Sequence, residues 1–551
     1  MKQHLRDEKA FSQPRRQSVL PVPTLETIVE RGDKNAIFEI ILVDIGGFGK
    51  YQVSILLLAS VASIVSACNH LAPIFLAFSP RFECTPSDSN GTSYVSESPS
   101  NDTSISSLFV NEPACFDPSG MDCQTFSYDR NIMTRSIVTH FNLVCARLPL
   151  LPLVSSTYMA GVMLTTIFSG FLSDRLGRRT IVLTLSSIHV IATFATCFAT
   201  KSYLTFILAR FFVGGTIHGT WVALFVITTE ISIKSRRGLT GFVMNLGWNV
   251  GAIILTAVAY LSRDWVTMQL IFSGISLVTI SYFFVIPESP RWLMERGKFE
   301  EAEVVLRKIA KYNGINVEFG HGASRFEGNM KALKLSSDVT ERKHLTFRDT
   351  FQGVSHFCTY PIFRKRIALF GLPWFFVGMA SYGIHFSVKL VEFDIFMMSI
   401  IKEIVIIISI ACLLPVYTKF KRTHVVPLFF LLGGILGILF LAFPARFLLV
   451  RVGLLVLTQG LIVADFCLLD TFTPEAFSTD TRNFVLALLD GVSKTGTLIA
   501  PFIVDLGGYW YASAPPAIFG IFMVLTSVWI KFLLPETKGT PLKQSISDLA
   551  A

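Results

Sequence analysis

Charge is what this sequence has least of. Asp, Glu, Lys and Arg supply 16% of its residues, where a soluble domain carries about a quarter. A water-soluble globule of this length is thereby excluded. Nucleotide loops are missing as well: there is no Gly-x-x-x-x-Gly-Lys-Ser/Thr segment, which argues against a primary pump. There is no His-Glu-x-x-His, no metal-ligand cluster and no nucleophile–base set, so neither an enzyme nor a bound metal or other cofactor is expected. No apolar core precedes the polar stretch 1–51, so no cleaved signal peptide is expected.

What is present is apolar. Hydrophobic residues make up 51% of the chain and there are 49 Phe, with a mean hydropathy of +0.55. Most of the Phe should face lipid or pack helices, leaving some to line a cavity for a lipophilic substrate. Runs of about twenty apolar residues are long enough to cross a bilayer. They fall near 52–78, 149–173, 180–199, 203–230, 241–261 and 267–287, then near 366–388, 394–417, 425–443, 446–470, 483–506 and 512–534. Each exceeds a strand's length, so the expectation is an all-α membrane protein with twelve transmembrane helices.

The net charge of +9 is no nucleic-acid signal, because Lys and Arg concentrate in short segments between apolar runs. Arg175, Arg178 and Arg179 follow the second span, Lys234, Arg236 and Arg237 the fourth, and Lys419, Lys421 and Arg422 the eighth. The basic side is expected to be cytoplasmic, which puts both termini inside. The segment 79–148 then lies outside. It carries the acceptors Asn90-Gly91-Thr92 and Asn101-Asp102-Thr103 for N-glycosylation, and Cys84, Cys115, Cys123 and Cys145. Four Cys in an oxidising compartment suggest two disulfides in any of three pairings. The other Cys (Cys68, Cys197, Cys358, Cys412 and Cys467) read as unreactive thiols.

The division expected is a cytoplasmic segment 1–51, a six-helix half 52–287 containing the extracellular loop, a cytoplasmic loop 288–362 with an amphipathic helix around 300–310, a second half 363–535 and a tail 536–551. The halves repeat one another. Glu230 precedes Arg237 by seven residues, as Glu475 precedes Arg482, and Pro287-Glu288-Ser289 matches Pro535-Glu536-Thr537. Two parallel halves with a substrate site between them, near the midplane, are a known transporter plan.

Gly170-x-x-x-Asp174-Arg175-x-Gly177-Arg178-Arg179 resembles the signature of the major facilitator superfamily, and Arg210-x-x-x-Gly214 resembles its second motif. The resemblance implies the major facilitator fold, two pseudo-symmetric six-helix bundles. It also implies a latch between the halves at the cytoplasmic face, made by Asp174, Arg175, Arg178 and Arg179 with Glu230, Arg237, Glu475 and Arg482. Lys419-Phe420-Lys421-Arg422 lacks the Gly and the Asp174 counterpart, so the second latch is expected to be weaker. Five further stretches narrow the likeness: Gly46-Gly47-Phe48-Gly49-Lys50-Tyr51-Gln52, Phe141-Asn142-Leu143-Val144-Cys145, Pro287-Glu288-Ser289-Pro290-Arg291-Trp292-Leu293, Asn313-Gly314 and Leu534-Pro535-Glu536-Thr537-Lys538-Gly539. Together they look like the organic ion transporters of solute carrier family 22. That resemblance covers nearly the whole chain and implies uniport or exchange of small amphiphilic organic ions by alternating access.

Ionisable residues inside a bilayer usually face a cavity or pair. Here they are Lys402 and Glu403 in span 8, Asp465 and Asp470 in span 10, and Asp490 and Lys494 in span 11. Asp490 and Lys494 lie four apart and can neutralise each other. The resemblance gives Lys494 the charge position of span 11, where a basic residue accompanies anion transport. Glu403 matches an acid of the cation carriers and pulls the other way, and Lys402 points about 100° around the helix from it. Asn245, with Asn249 one turn on, His218, and Trp374 and Tyr382 of span 7 complete the candidate substrate site. The alternative for each polar residue among them is helix packing. His385, also in span 7, is a candidate for titration near neutral pH. An organic anion is slightly favoured as substrate, a cation or carnitine-like zwitterion is the alternative, and a non-transporting sensor of the same fold is the remaining one. The expected partners are a small organic ion and the lipid bilayer, with no nucleic acid.

Overall fold

The computed structural model describes residues 34–85, 115, 122–123, 125–317, 321–339, 360–478 and 481–538. Asn90, Asn101 and Cys358 lie outside the described residues. Among the described residues, 12 helices are long and apolar enough to cross a membrane. Spans 1 to 6 are Lys50–Leu71 continued by Pro73–Leu76, Leu153–Leu176, Arg178–Phe198, Tyr203–Glu230, Arg237–Ser262, and Trp265–Ser276 continued by turns to Val285. Spans 7 to 12 are Pro361–Ser387, Ile395–Lys419, Arg422–Ala442, Leu448–Ala476, Arg482–Trp510 and Ala514–Leu533. The sequence stops span 10 at 470, where hydropathy falls, but the helix runs on through Pro474 to Ala476. Backbone hydrogen bonding continues past the point where side chains become polar. Span 2 begins four residues later than its apolar run, because Cys145–Leu150 is spent on a tight 3-10 turn.

Helix starts follow side-chain chemistry. The Ser202 hydroxyl accepts from the Thr205 amide, and the Asp264 and Asp394 carboxylates accept from Thr267 and Met397. Each supplies an acceptor for an amide with no partner inside its own helix. Buried hydroxyls turn back on their own helices, as Thr220 does on the Thr216 carbonyl at 2.9 Å.

Spans 9 and 12 of the second half pack backbone to backbone. A Cβ on Gly434 would lie 2.7 Å from the Gly520 carbonyl oxygen, and one on Gly520 would lie 2.6 Å from that of Gly434. Small residues let the two backbones touch where lipid offers no hydrophobic drive for association.

One end of the bundle is capped by the loop after span 1. Phe82–Cys84 pairs antiparallel with Phe126–Tyr128. Cys84 bonds Cys123 and Cys115 bonds Cys145, which selects one of the three pairings. The cap is tied to the turn before span 6 by Arg135 and Asp264, 2.7 Å apart. Of the remaining described cysteines, Cys68 and Cys197 are buried and Cys412 is exposed.

The other end carries the linker. Helix Phe299–Tyr312 buries Ala302, Leu306, Ile309 and Ala310, and Asn313 ends it as a hub. The Asn313 Oδ1 accepts from the Tyr51 amide at 2.9 Å, and its Nδ2 donates to the Ile45 carbonyl at 2.9 Å and to Gln52 at 3.1 Å. A Cβ on Gly49 would sit 2.4 Å from that Oδ1. This contact explains physically why a glycine-rich turn and Asn313-Gly314 occur in one chain. The stretch 1–51 reads as polar, yet Lys34–Asp44 is a helix burying Ile37, Phe38, Ile41 and Leu42. Asp44 holds it to linker helix His321–Val339, through Arg325 at 3.1 Å and Asn329 at 2.8 Å.

Replacing Gly434 or Gly520 by Leu should destabilise the protein by about 1–3 kcal/mol through overpacking. Gly453→Ala, at a position with open space around it, should be neutral. Thermal melts of the three variants in detergent check this; a Gly520→Leu protein that melts like Gly453→Ala would refute the close seam.

Candidate functional site

The two halves meet at the capped end. Phe75 of span 1 stacks on Phe396 of span 8 at 5.5 Å, and Tyr260 of span 5 meets the same ring edge-on. Ser156 of span 2 donates to the Leu498 carbonyl of span 11 at 2.8 Å. Deeper along this seam sits His70. Its ring lies 4.6 Å from Tyr382 of span 7, 5.1 Å from Tyr158 and 5.1 Å from Trp248, measured between centroids. Both of its ring nitrogens are buried without a hydrogen-bond partner among the described residues. Arg210 supports this corner. Its Nη2 donates to the Asn69 carbonyl at 2.9 Å, and its guanidinium lies 4.6 Å above the Tyr158 ring. The second motif is thus a brace beneath the aromatic group.

Across from this group, Asp490 and Lys494 pair on one face of span 11, 3.2 Å apart. The Lys494 ammonium stands 5.8 Å over the Phe466 ring of span 10. Its charge acts on His70 and His218 of the opposite half, and Asp470 lies within electrostatic reach of the pair. His218 stacks on Trp221 at 5.8 Å, and Trp221 donates to Ser63 at 2.9 Å. Asn245 is exposed and donates to the Gly241 carbonyl, whereas Asn249 is buried with its Oδ1 unpartnered. The structure therefore brings Lys494, His218 and Tyr382 to one central region, with His70, Tyr158, Trp248 and Phe466 added. Nothing in the spacing of an apolar helix singles out His70; only the packing of four spans around it does.

Two expected site residues stand elsewhere. Trp374 is 1% exposed and donates to Thr473 at 3.0 Å inside the second half, so it backs Phe466 rather than facing a cavity. Glu403 is 1% exposed and pairs with Lys402 at 3.3 Å. A 100° offset does not keep sequence neighbours apart when both side chains are long and neither has water.

At the linker end, each half closes on itself in the same way. Glu288 accepts from the Arg178 and Arg179 amides at 2.9 and 3.1 Å, and Arg178 reaches Asp174 at 2.9 Å and Glu230 at 3.3 Å. Glu536 accepts from the Arg422 and Thr423 amides, both at 3.1 Å, and Arg422 pairs with Glu475 at 3.0 Å. Arg422 takes the place of Arg178, while the counterparts of Gly177 and Asp174 are missing. The equal Glu–Arg spacings do not mark these pairs. Arg237 turns to Glu39 of the amino-terminal helix and to the Thr229 carbonyl. Arg482 keeps Nε and Nη2 buried without a hydrogen-bond partner among the described residues. Arg179 donates to the Ile286 and Phe283 carbonyls, and Arg175 lies over Phe171. These pairs lie within halves and do not bridge them.

Known proteins share this plan. The family model described as "Sugar (and other) transporter" matches residues 122–548. The organic cation transporter protein of Drosophila melanogaster is 27% identical over 531 residues, covering 93% of this chain and 94% of that protein. Solute carrier family 22 member 6-B of Xenopus laevis is 27% identical, covering 93% and 94%. Organic cation/carnitine transporter 2 of Homo sapiens is 29% identical, covering 77% and 73%. Among solved structures, the inward-open xylose transporter XylE from E. coli superimposes with a TM-score of 0.58 at 16% identity, covering 89% and 98%.

Glu536 supplies a test of the linker-end clusters. Burial pushes its carboxyl up, but hydrogen bonds from the Thr423 hydroxyl and from the Lys538, Thr423 and Arg422 amides outweigh this and hold it at about 2. Its contribution is therefore complete above the ordinary carboxylate range and is lost only as pH falls toward about 2. Glu536→Ala should cost about 1 kcal/mol, as loss of a helix cap does. The gap between its melting temperature and the parent's should stay constant from pH 8 down to about 5. A gap that closes within that range would contradict the assignment.

Proposed function

The chain belongs to the sugar (and other) transporter family of the major facilitator superfamily, and from that premise we propose that it carries small amphiphilic organic ions by uniport or exchange, with organic anions preferred. The observation that carries this reading is Lys494. It is 8% exposed, lies over an aromatic ring, and acts across the seam on both His70 and His218. A carboxylate or sulfate arriving there gains a charge-assisted hydrogen bond in a site of low dielectric. His218, Tyr382 and exposed Asn245 would frame the organic body, with Tyr158 and Trp248 beside them. Glu403 is less suited to hold a cation, since Lys402 already occupies it.

Asp490 favours a second reading. Its carboxylate is 28% exposed beside Lys494, so the pair offers one charge of each sign on one helix face. A zwitterion could replace their mutual contact with two contacts of its own. Relatives of this chain are named for carnitine and for β-alanine.

The same reading orients the molecule. The capped end faces outside, with Asn90 and Asn101 glycosylated, and the linker and both termini face the cytoplasm of a cell whose plasma membrane holds the carrier. Asp174, Arg175, Arg178, Arg179, Glu230, Arg237, Glu475 and Arg482 then act at the cytoplasmic gate, with Arg482 lacking a hydrogen-bond partner for two of its donors in the state seen here. Such charges bias one end state and leave substrate contacts alone.

Uptake of labelled 4-aminobenzoate, tetraethylammonium and carnitine at equal surface expression separates the readings. Lys494→Ala should raise the Km for the anion about tenfold or more, the loss expected for a hydrogen bond to a charged group. Asp490→Asn should spare the anion and raise the Km for carnitine only if the zwitterion reading is right. Unchanged anion uptake by Lys494→Asp would remove Lys494 from the site. Arg482→Ala should lower maximal uptake and leave Km nearly unchanged; a raised Km at full turnover would instead place Arg482 against the substrate.

A further inference from the structure

Carriage through the central region leaves one buried polar cluster unused. Inside the second half, Lys402 and Glu403 of span 8, His385 of span 7 and Gln459 of span 10 are each at most 6% exposed. Lys402 Nζ lies 3.3 Å and His385 Nε2 lies 3.8 Å from the same atom, Glu403 Oε1. Neither Glu403 oxygen has a hydrogen-bond partner among the described residues.

The tautomer of His385 follows from its other nitrogen. Nδ1 is 3.0 Å from the Ser381 carbonyl oxygen. That oxygen only accepts, so Nδ1 carries the hydrogen. A neutral His385 therefore turns the lone pair of Nε2 toward a carboxylate. Two acceptors face each other in a dry interior, where such opposition is felt most. Lys402 balances the charge of Glu403 but leaves that opposition in place. One proton on Nε2 converts it into a charge-assisted hydrogen bond.

The cluster also has a way to meet water. His385 lies less than one turn beyond Tyr382, ring to ring at 6.2 Å, and Tyr382 packs on His70 across the seam at 4.6 Å. Parting the halves at the capped end uncovers this side of span 7.

We propose that His385 and Glu403 form a proton-binding site that loads when the halves part at His70 and Tyr382, and that movement of this proton is coupled to carriage of the organic ion. The coupling rests on the carrier reading above; the proton site does not. The proton goes from water to His385 Nε2 and returns to water, with no bond between heavy atoms changed. Other ionisable groups nearby are accounted for. Asp490 and Lys494 of span 11 pair with each other, and Lys389 at the end of span 7 pairs with Asp505 of span 11. Asp465 of span 10 is fully buried with no hydrogen-bond partner for either oxygen among the described residues, and His70 faces the site from across the seam. The ionisable groups of spans 5, 9 and 12 stand at the helix ends, at Arg237, Arg422, His424 and Lys531. Lys402 and His70 are thus the groups that bias the site.

Two measurements test this. In nanodiscs, the His385 Nε2 nitrogen signal, assigned by its loss in His385→Gln, should titrate between about pH 5 and 8. Glu403→Gln should lower that midpoint by about one unit or more, because a neighbouring carboxylate favours the charged ring. A signal that ignores pH across the range, or a midpoint that ignores Glu403→Gln, overturns the site. In liposomes held at zero potential, an inward gradient of one pH unit should accumulate labelled 4-aminobenzoate or carnitine about tenfold, the factor one proton carries per unit. Glu403→Gln and His385→Gln should lose this accumulation and keep self-exchange at equal pH within about twofold of the parent. Intact exchange without accumulation in the parent overturns the coupling and leaves the carrier reading standing. Loss of self-exchange in both variants overturns it in favour of a structural cluster. Absence of exchange in the parent with every probe counts against the carrier reading and against the coupling, while the nitrogen titration still decides the site.

Discussion

A carboxylate that accepts hydrogen bonds from the first amides of a membrane helix is the tie on which each half depends. Glu288 does this for span 3 and Glu536 for span 9. The chain re-enters the bilayer at these points, and helix amides there have no partners of their own. A negative charge at a helix N-terminus answers both the unpaired amides and the helix dipole. Because each carboxylate comes from beyond the last span of its half, the tie also closes the half into a unit. Arg178 and Arg422 follow at the first helical position and reach sideways to Glu230 and Glu475. The linker-end geometry is set by these two small clusters.

The interior obeys a related constraint. Charge inside lipid must be paired or face a cavity. Lys494 meets Asp490, Lys402 meets Glu403, and Lys389 meets Asp505. Lys494 acts on His70 and His218 in the centre of the opposite half and Asp505 acts on Tyr203 of that half, whereas Lys402 acts on His385 within its own half. That difference sets the Asp490–Lys494 pair apart from the buried internal cluster, and charge alone does not show it.

The spans were legible because about twenty apolar residues have one stable solution in a bilayer. The repeat was legible in Pro287-Glu288-Ser289 and Pro535-Glu536-Thr537, which carry the capping carboxylates themselves. The arginine partners were not. Equal spacing to Arg237 and Arg482 marks the repeat and not the partner: Arg422 stands before a different span and meets Glu475 only after the half has folded. His70 and Tyr158 escaped notice for the same reason: their environment comes from spans far apart in sequence. Trp374 looked like a cavity residue because its type suits one, while its Nε1–H found Thr473 inside the bundle. Helix Lys34–Asp44 was hidden by its short apolar face, whose partner is a linker helix some 280 residues later.

That helix has a consequence for how signals travel. Asp44 fastens it to helix His321–Val339, Glu39 fastens it to Arg237, and Asn313 locks the neighbouring linker helix onto the start of span 1. Two of these fastenings end on the first half, at Arg237 and at the start of span 1. Among the described residues, the linker helices are therefore fastened to the first half. A modification or partner arriving on those helices addresses the first half as its listener.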